Sequence, residues 1–230
     1  MKGFRTAARS RMMTAASMLA GLTAALSFVS IPLPVSPVPV TGQSFGAMLS
    51  GLALGPLWGA AAMAVYLALG CAGFPVFAGG KAGPGTLFGP TGGYLAGFVL
   101  GAWVAGLVVS AGESLLGGQA AGRAMSARGP SGGEQSDAQQ DLLRPTPGRR
   151  LATSLPLWVY LLAAILGGVV VVHVSGSVWL ARYTGRTLGE AFAIGSLPFL
   201  PGDVAKALAA ALVAGRLRRA VTAPLWNPSR

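Results

Sequence analysis

A chain of 230 residues with 53% hydrophobic and only 10% charged residues is too apolar for an ordinary soluble domain, in which about 25% of residues are charged. The composition therefore predicts a membrane protein. The formal net charge of +11 would be typical of a nucleic-acid-binding protein if the basic residues were interleaved with aromatic ones. They cluster instead at the ends of apolar segments, so nucleic acid is not an expected partner.

The first apolar segment, residues 12–31, is long enough to cross a bilayer core of about 30 Å as a helix. Four basic residues between Lys2 and Arg11 precede it. A secretory signal peptide has a similar outline, but its apolar run is usually about 7 to 15 residues long and ends in a small-residue cleavage site. We therefore predict a membrane helix in this segment.

Small residues form a stripe along this first helix. Ala16, Ala20 and Ala24 recur every four residues and therefore share one helix face. A second stripe lies beside the first: Ser17, Gly21 and Ala25. Small-residue faces let membrane helices approach closely, so the pattern indicates packing either within this chain or against a partner protein.

Two short apolar helices follow an irregular segment. Residues 31–40 alternate proline with Leu, Val and Ser, which no helix interior tolerates, so an extended loop is predicted there. The next helices are predicted at residues 43–54 and 57–69. They meet at Gly55-Pro56, a dipeptide that ends one helix and begins the next.

A second loop, residues 71–90, is rich in glycine and leads into a fourth predicted helix at residues 92–111, with Thr91 as its N-cap. Glycines such as Gly79 and Gly92 mark places where the backbone comes close to something. Close packing against another helix and contact with a ligand both explain them.

Residues 113–150 are polar, rich in Ser, Gln, Gly and Pro, and are predicted to form a flexible linker. The fifth and sixth helices are predicted at residues 155–174 and 202–215. The sequence therefore predicts an all-α protein with six membrane spans, folded as a single membrane domain.

The distribution of Lys and Arg predicts the orientation of these spans. With six spans both termini lie on one side, and that side, together with the linker, carries thirteen basic residues. The opposite loops carry three: Lys81, Arg182 and Arg186. The positive-inside rule therefore predicts cytoplasmic termini and a cytoplasmic linker, with the proline-rich and glycine-rich loops outside.

The strongest candidate for a site is an acid and a base at the start of the sixth helix. Pro201 suits the first helical position, so Asp203 lies in the first turn and Lys206 lies on the same face three residues later. A charge facing hydrocarbon costs about 2.5 to 3.5 kcal/mol, which favours a functional role. An ion pair that only closes the helix end is the alternative. Gln43, at the start of another apolar helix, is a second polar candidate, as a cap, a headgroup contact or a ligand contact.

Motifs for catalysis, metal or nucleotide binding are missing from the sequence. No Ser-His-Asp set or pair of facing carboxylates is present, which argues against an enzyme. His173 has no Cys, Asp or Glu at ligand spacing, so no metal is expected. Lys81 is followed by Ala82 and not by the hydroxyl residue of a phosphate-binding loop. Thr187 and Glu190 have the spacing of a helix capping box.

Four motifs, spread over about residues 12–215, together resemble the BioY proteins, the biotin-binding S components of energy-coupling factor (ECF) vitamin transporters. The motifs are Pro39-Val40-Thr41-Gly42-Gln43, Gly73-Phe74-Pro75-Val76-Phe77-Ala78-Gly79-Gly80, Gly89-Pro90-Thr91-Gly92-Gly93-Tyr94, and Pro198-Phe199-Leu200-Pro201-Gly202-Asp203 followed by Lys206. Only the linker is longer than the family pattern.

The resemblance implies the ECF S-component fold in the plasma membrane, capture of biotin from outside, and coupling to a membrane-embedded T component and two ATPase subunits. It implies no catalysis and no cofactor, since biotin is the transported ligand. A self-sufficient secondary biotin transporter is the alternative function. We predict that the stripe of Ala16, Ala20 and Ala24 docks the T component.

The resemblance also implies that Asp203 and Lys206 contact biotin. A biotin carboxylate suits Lys206 and a helix N-terminus, and the ureido N–H groups suit Asp203 as acceptor. Aromatic side chains can form an apolar wall for the fused rings. The predicted ligand residues beside the charged pair are Gln43, Phe77, Gly79, Thr91, Gly92, Tyr94 and Phe199.

Overall fold

The described part of the chain is mainly helical and contains one β-hairpin. The computed structural model describes residues 2–34, 36–127 and 155–222, with side chains for 6–34, 36–116 and 155–222. Within these residues the helices are α1 Lys2–Leu26, α2 Gln43–Leu54, α3 Pro56–Cys71, α4 Gly92–Ala127, α5 Leu157–Thr184, α6 Leu188–Gly195 and α7 Leu200–Thr222, and the strands are β1 Ser30–Leu33 and β2 Ser36–Thr41.

Three helical segments of the described residues are long and apolar enough to cross a membrane: Gly92–Leu116, Leu157–Thr184 and Leu188–Thr222, the last of which joins α6 and α7 through a short 3₁₀ turn. Helix α3 is apolar but shorter. A stretch of about 20 apolar residues spans the hydrocarbon core. The chain is therefore a membrane protein, as its composition predicts.

The first helix and the segment after it differ from the sequence prediction. Helix α1 ends at Leu26, so the last five residues of the predicted span 12–31 form a turn and the start of β1. The predicted extended loop is an antiparallel hairpin in which Ser30 pairs with Thr41 and Ile31 pairs with Val40. Its register shifts at Pro32, which has no N–H to donate. The protein is therefore not entirely α-helical.

Helix α4 is longer than predicted. It continues to Ala127, so the first part of the predicted linker 113–150 is helical. Residues 113–127 contain many Ala and Leu residues, which are strong helix formers, and a helix that leaves the bilayer does not have to end there. Residues 128–150 of the predicted linker lie outside the described residues.

Helix α2 lies at the centre of the fold. Eleven of its residues are buried, and it packs against α1, α3, α4, α5 and α7. It ends at Gly55, whose φ of 80° is in the left-handed region, and Pro56 then begins α3. This tight junction turns the chain back without an exposed loop.

Helices α4 and α5 approach each other closely at glycines. A Cβ on Gly101 would collide with the carbonyl oxygen of Gly167, and a Cβ on Gly167 would collide with that of Gly101. Gly167 lies in a π-helical stretch of α5, Ala164–Val171. Small residues let the two backbones meet in this way.

The connection from α5 to α7 positions the charged residues of α7. Helix α5 ends at Gly185, which adopts the left-handed conformation, and α6 begins with the predicted capping box. The Thr187 hydroxyl accepts from the Glu190 N–H at 3.3 Å, and the Glu190 carboxylate accepts from the Thr187 N–H at 3.0 Å. The capping box is therefore confirmed, and Glu190 has a structural role at this helix end.

Candidate ligand-binding site

A cavity lies where the N-terminal ends of α2, α4 and α7 meet the hairpin and α5. Seven of the nine predicted ligand residues line it: Gln43, Phe77, Thr91, Tyr94, Phe199, Asp203 and Lys206. Residues that lie far apart in the sequence therefore share one pocket.

The two predicted glycines do not line the cavity. Gly79 adopts a left-handed conformation with φ of 71°, and it lies in a 3₁₀ turn. A Cβ on Gly92 would collide with the carbonyl oxygen of Leu87. Both glycines therefore serve the backbone of the second loop and not the pocket surface.

Asp203 is the polar centre of the pocket. Its side chain is only 8% exposed, and its Oδ1 accepts hydrogen bonds from Lys206 Nζ and from Ser44 Oγ, both at 2.8 Å. Ser44 lies in the first turn of α2 and was not predicted. A buried carboxylate needs such partners, because an unpaired charge in this position is costly.

Lys206 uses all three of its N–H donors within the protein. It donates to the Thr41 carbonyl oxygen at 2.6 Å, to Asp203 Oδ1 at 2.8 Å and to Ser44 Oγ at 3.1 Å. An ammonium group has three donors and no acceptor. An anionic ligand that binds Lys206 therefore takes over or shares a donor from one of these protein bonds.

His173 contacts the Asp203–Lys206 pair, although the sequence predicted no role for it. Its Nε2 lies 2.9 Å from Asp203 Oδ2, and its Nδ1 lies 3.0 Å from Ser196 Oγ. The ring is 4% exposed and borders the cavity. No local spacing connects His173 to Asp203, because the contact exists only when α5 packs beside α7. Its place as the only histidine, near the outer end of an apolar helix, was the one available signal.

Gln43 holds the hairpin side of the pocket to the second loop. Its Nε2 donates to Tyr66 Oη at 2.5 Å, and its Oε1 accepts from Thr41 Oγ1 at 3.1 Å. Tyr66 Oη in turn donates to the Val76 carbonyl oxygen at 3.0 Å. Because Gln43 is 3% exposed, it is not a headgroup contact, and α2 has no side-chain cap.

Aromatic rings form the apolar wall. Phe77 is fully buried, lies against Gly70 and makes an edge-to-face contact with Tyr66 at a centroid distance of 5.8 Å. Tyr94 donates to the Gly195 carbonyl oxygen at 2.6 Å, which fixes its ring at the pocket edge. Phe98, one turn further along α4, also lines the cavity and was not predicted.

The alanine stripe of α1 is not on the surface. Ala16 and Ala20 are 5% and 1% exposed, because α1 packs on α2 and α3, and Ala24 is half-buried. The predicted partner-binding face is therefore an internal packing face. The neighbouring small-residue stripe is exposed instead: Ser17, Gly21 and Ala25.

An ion pair joins α4 and α7 at the ends of these helices that lie away from the cavity. Arg218 in α7 donates from Nε and Nη2 to the two carboxylate oxygens of Glu113 in α4, at 2.7 and 2.8 Å. Arg218 Nη1 also donates to the Leu52 carbonyl oxygen at the end of α2, at 3.2 Å. This pair ties α2, α4 and α7 together far from the ligand cavity.

Comparison with known proteins agrees with this architecture. The sequence model of the BioY family matches residues 2–223. The biotin transporter BioY of Rhizobium etli is 34% identical over 183 residues, which cover 80% of this chain and 79% of that protein. The biotin transporter BioY of Thermotoga maritima is 32% identical over 202 residues, which cover 87% and 94%.

A solved structure shares the fold. The crystal structure of the S-component for biotin from an ECF-type ABC transporter aligns with a TM-score of 0.68 at 25% identity, over 92% of each chain. The curated relatives are transporters by name, so the expectation of a non-catalytic protein is confirmed at the level of the family. The chain belongs to the BioY family, a family of transporters and not of enzymes.

Proposed function

We propose that this chain is the biotin-binding S component of an ATP-driven vitamin uptake transporter of the ECF type. The observation that carries the proposal is the alignment with the S-component for biotin over 92% of both chains, at a TM-score of 0.68. The cavity adds independent support, because it combines a charged cluster with an aromatic wall at one end of the helices.

The chemistry of the cavity suits biotin. The ligand has a carboxylate, ureido N–H groups and an apolar fused ring system. Lys206 and the N-terminus of α7 favour an anion, Asp203 offers an acceptor for N–H groups, and Phe77 and Tyr94 provide apolar surface. Gln43, Thr91 and Phe199 complete the proposed contact set.

Six membrane spans in the plasma membrane remain part of the proposal. Helices α1, α2 and α3 would add three spans to the three long apolar segments. The distribution of basic residues, thirteen against three, supports cytoplasmic termini and a cavity that opens outward. The Glu113–Arg218 pair would then lie at the cytoplasmic ends of the helices.

A T component and two ATPase subunits are the proposed partners. Because Ala16 and Ala20 are buried, the exposed stripe of Ser17, Gly21 and Ala25 is the better candidate for docking the T component. At Gly21 an added Cβ would meet no described atom within 4 Å, so the residues that the structure describes leave this face open.

Binding of labelled biotin to the purified chain in detergent tests the proposal. We expect saturable binding that excess unlabelled biotin abolishes and that riboflavin or thiamine leaves unchanged. Absence of saturable binding, or equal competition by another vitamin, would refute the assignment. Uptake in cells that lack ECF T and ATPase subunits would instead identify a self-sufficient secondary transporter.

A further inference from the structure

We infer that His173 is a positioning residue for the ligand: through Nε2 it fixes the orientation of the Asp203 carboxylate and thereby sets the affinity of the cavity for its ligand. The inference rests on the proposed function, because it concerns the same cavity.

His173 and Asp203 meet where two helices pack together. His173 lies on α5 and Asp203 lies on α7, and packing of the two helices places Nε2 at 2.9 Å from Oδ2. The two residues are 4% and 6% exposed. Water therefore has little access to replace the imidazole as the donor to this oxygen.

The two carboxylate oxygens of Asp203 have different donors. Oδ1 accepts from Lys206 and Ser44, whereas the only protein donor to Oδ2 is His173 among the described residues. Without His173 the carboxylate is held at Oδ1 alone, so its rotation about the Cβ–Cγ bond is less restrained. With His173 both oxygens are fixed, so the remaining lone pair, on Oδ2, points in a set direction.

The hydrogen-bond partners of His173 determine which ring nitrogen carries the hydrogen. An ionised carboxylate is an acceptor only, so the Nε2 position of His173 must carry the hydrogen. A neutral imidazole then accepts at Nδ1 from the Ser196 hydroxyl, which in turn accepts from Ser177 at 2.8 Å. This direction satisfies every donor in the chain of contacts from Ser177 to Asp203.

Positioning of Asp203 and packing of the ring are two distinguishable roles for His173. The ring of His173 also lies edge-to-face against Tyr94, at a centroid distance of 6.1 Å, and Nδ1 bonds Ser196. A residue that only filled space or anchored Ser196 would act through these contacts. Positioning of Asp203 requires only the donor at Nε2. Positioning and packing therefore predict different effects of substituting His173.

Glutamine and asparagine distinguish the two roles. The amide nitrogen of glutamine can occupy the Nε2 position and that of asparagine the Nδ1 position, so His173→Gln keeps the donor to Asp203 and His173→Asn keeps a contact near Ser196. His173→Leu removes both contacts. Ser196→Ala removes the Nδ1 contact alone and is the matched control, since Ser196 does not line the cavity.

The experiment measures biotin affinity by calorimetry and thermal stability for the four variants and the parent chain in one detergent. We expect His173→Gln and Ser196→Ala to stay within about threefold of the parent, and His173→Asn and His173→Leu to bind about 10- to 100-fold more weakly, as for loss of one hydrogen bond to a charged group.

The results separate this inference from the proposed function. Equal affinities for the Gln and Asn variants, or a loss in Ser196→Ala as large as in His173→Asn, would overturn the positioning role. Affinities that follow the melting temperatures of all four variants would also overturn it. Absence of biotin binding by the parent chain would instead overturn the proposed function.

Discussion

The charged pair at the start of α7 gives the sharpest test of the proposed site. Lys206→Met removes three hydrogen bonds at once, to Thr41, Ser44 and Asp203, and leaves the Asp203 charge with His173 and Ser44 as its partners. Asp203→Asn removes the opposite charge and leaves the Lys206 ammonium without a carboxylate partner, with its hydrogen bonds to Thr41 and Ser44 retained. The double variant removes both charges and restores neutrality.

The burial of the two side chains determines how much stability and how much biotin affinity each variant should lose. The Asp203 side chain is 8% exposed and that of Lys206 is 23% exposed, so either single variant leaves a largely desolvated charge without its partner. Such a break costs about 3–5 kcal/mol of stability, with the lower value expected here because Lys206 retains some solvent contact. Loss of a charged partner for the ligand costs about 2–5 kcal/mol, or roughly 30-fold to several-thousand-fold in affinity.

The double variant decides between a ligand role and a purely internal pair. If both side chains contact biotin, stability should recover relative to the single variants while affinity remains low. Calorimetric titration of biotin, with thermal unfolding of the same samples, measures both quantities. Near-parental affinity in the double variant would exclude direct contact with biotin and refute the reasoning.

An ion pair at the far ends of the helices provides the matched control. Arg218 and Glu113 form a two-point contact at 2.7 and 2.8 Å, away from the cavity. Arg218→Met combined with Glu113→Gln should change stability but leave biotin affinity at the parental value. A loss of affinity in this control equal to that of Lys206→Met would show that any perturbed ion pair weakens binding.

The remaining predictions concern helix packing, docking and the linker. Gly101→Val should lower the melting temperature, because a Cβ there collides with a carbonyl of α5 and overpacking costs about 1–3 kcal/mol. Gly202→Ala is the neutral control, since its Cβ would meet no described atom within 4 Å. Equal melting temperatures of the two variants would contradict the close contact. Gly21→Trp should abolish cellular uptake of biotin yet leave the isolated subunit stable and able to bind biotin. Ala20→Trp, at a 1% exposed position, should instead destabilise the subunit itself. Normal uptake by cells that carry Gly21→Trp would reject the docking face. Replacing residues 128–150 by a short Gly-Ser linker should preserve affinity, and a folded, membrane-inserted variant without binding would contradict the site assignment.

Features that depend on a few neighbouring residues were predictable from the sequence. Gly55-Pro56 separates α2 from α3 because glycine adopts a left-handed conformation and proline suits the first position of a helix. Thr187 and Glu190 form a capping box because their spacing alone brings the two side chains to each other's backbone. Both outcomes follow from contacts within four residues.

Helix ends in long apolar stretches were less predictable. The apolar run from residue 12 to 31 does not show that the chain leaves the helix after Leu26, because strand and helix both accommodate apolar β-branched residues. The polar composition after residue 113 indicated a linker, yet α4 continues to Ala127. A polar composition predicts that a segment is exposed to water. It does not predict where a helix ends, because that depends on the hydrogen bonds of the backbone.

The sequence by itself determined that this is an apolar membrane protein and that Asp203 and Lys206 share one face of a helix, because three residues separate them. Only the tertiary structure decided which groups surround them. Ser44 lies 159 residues from Asp203, and Thr41 lies 165 residues from Lys206.

The same holds for the two small-residue stripes of α1. Their compositions are alike, and no local rule states which one faces inward. Packing of α1 on α2 and α3 buries Ala20 and leaves Gly21 exposed. Only the packing of α1 on other helices determines which stripe is buried, because burial depends on what packs against a face and not on the residues of that face alone.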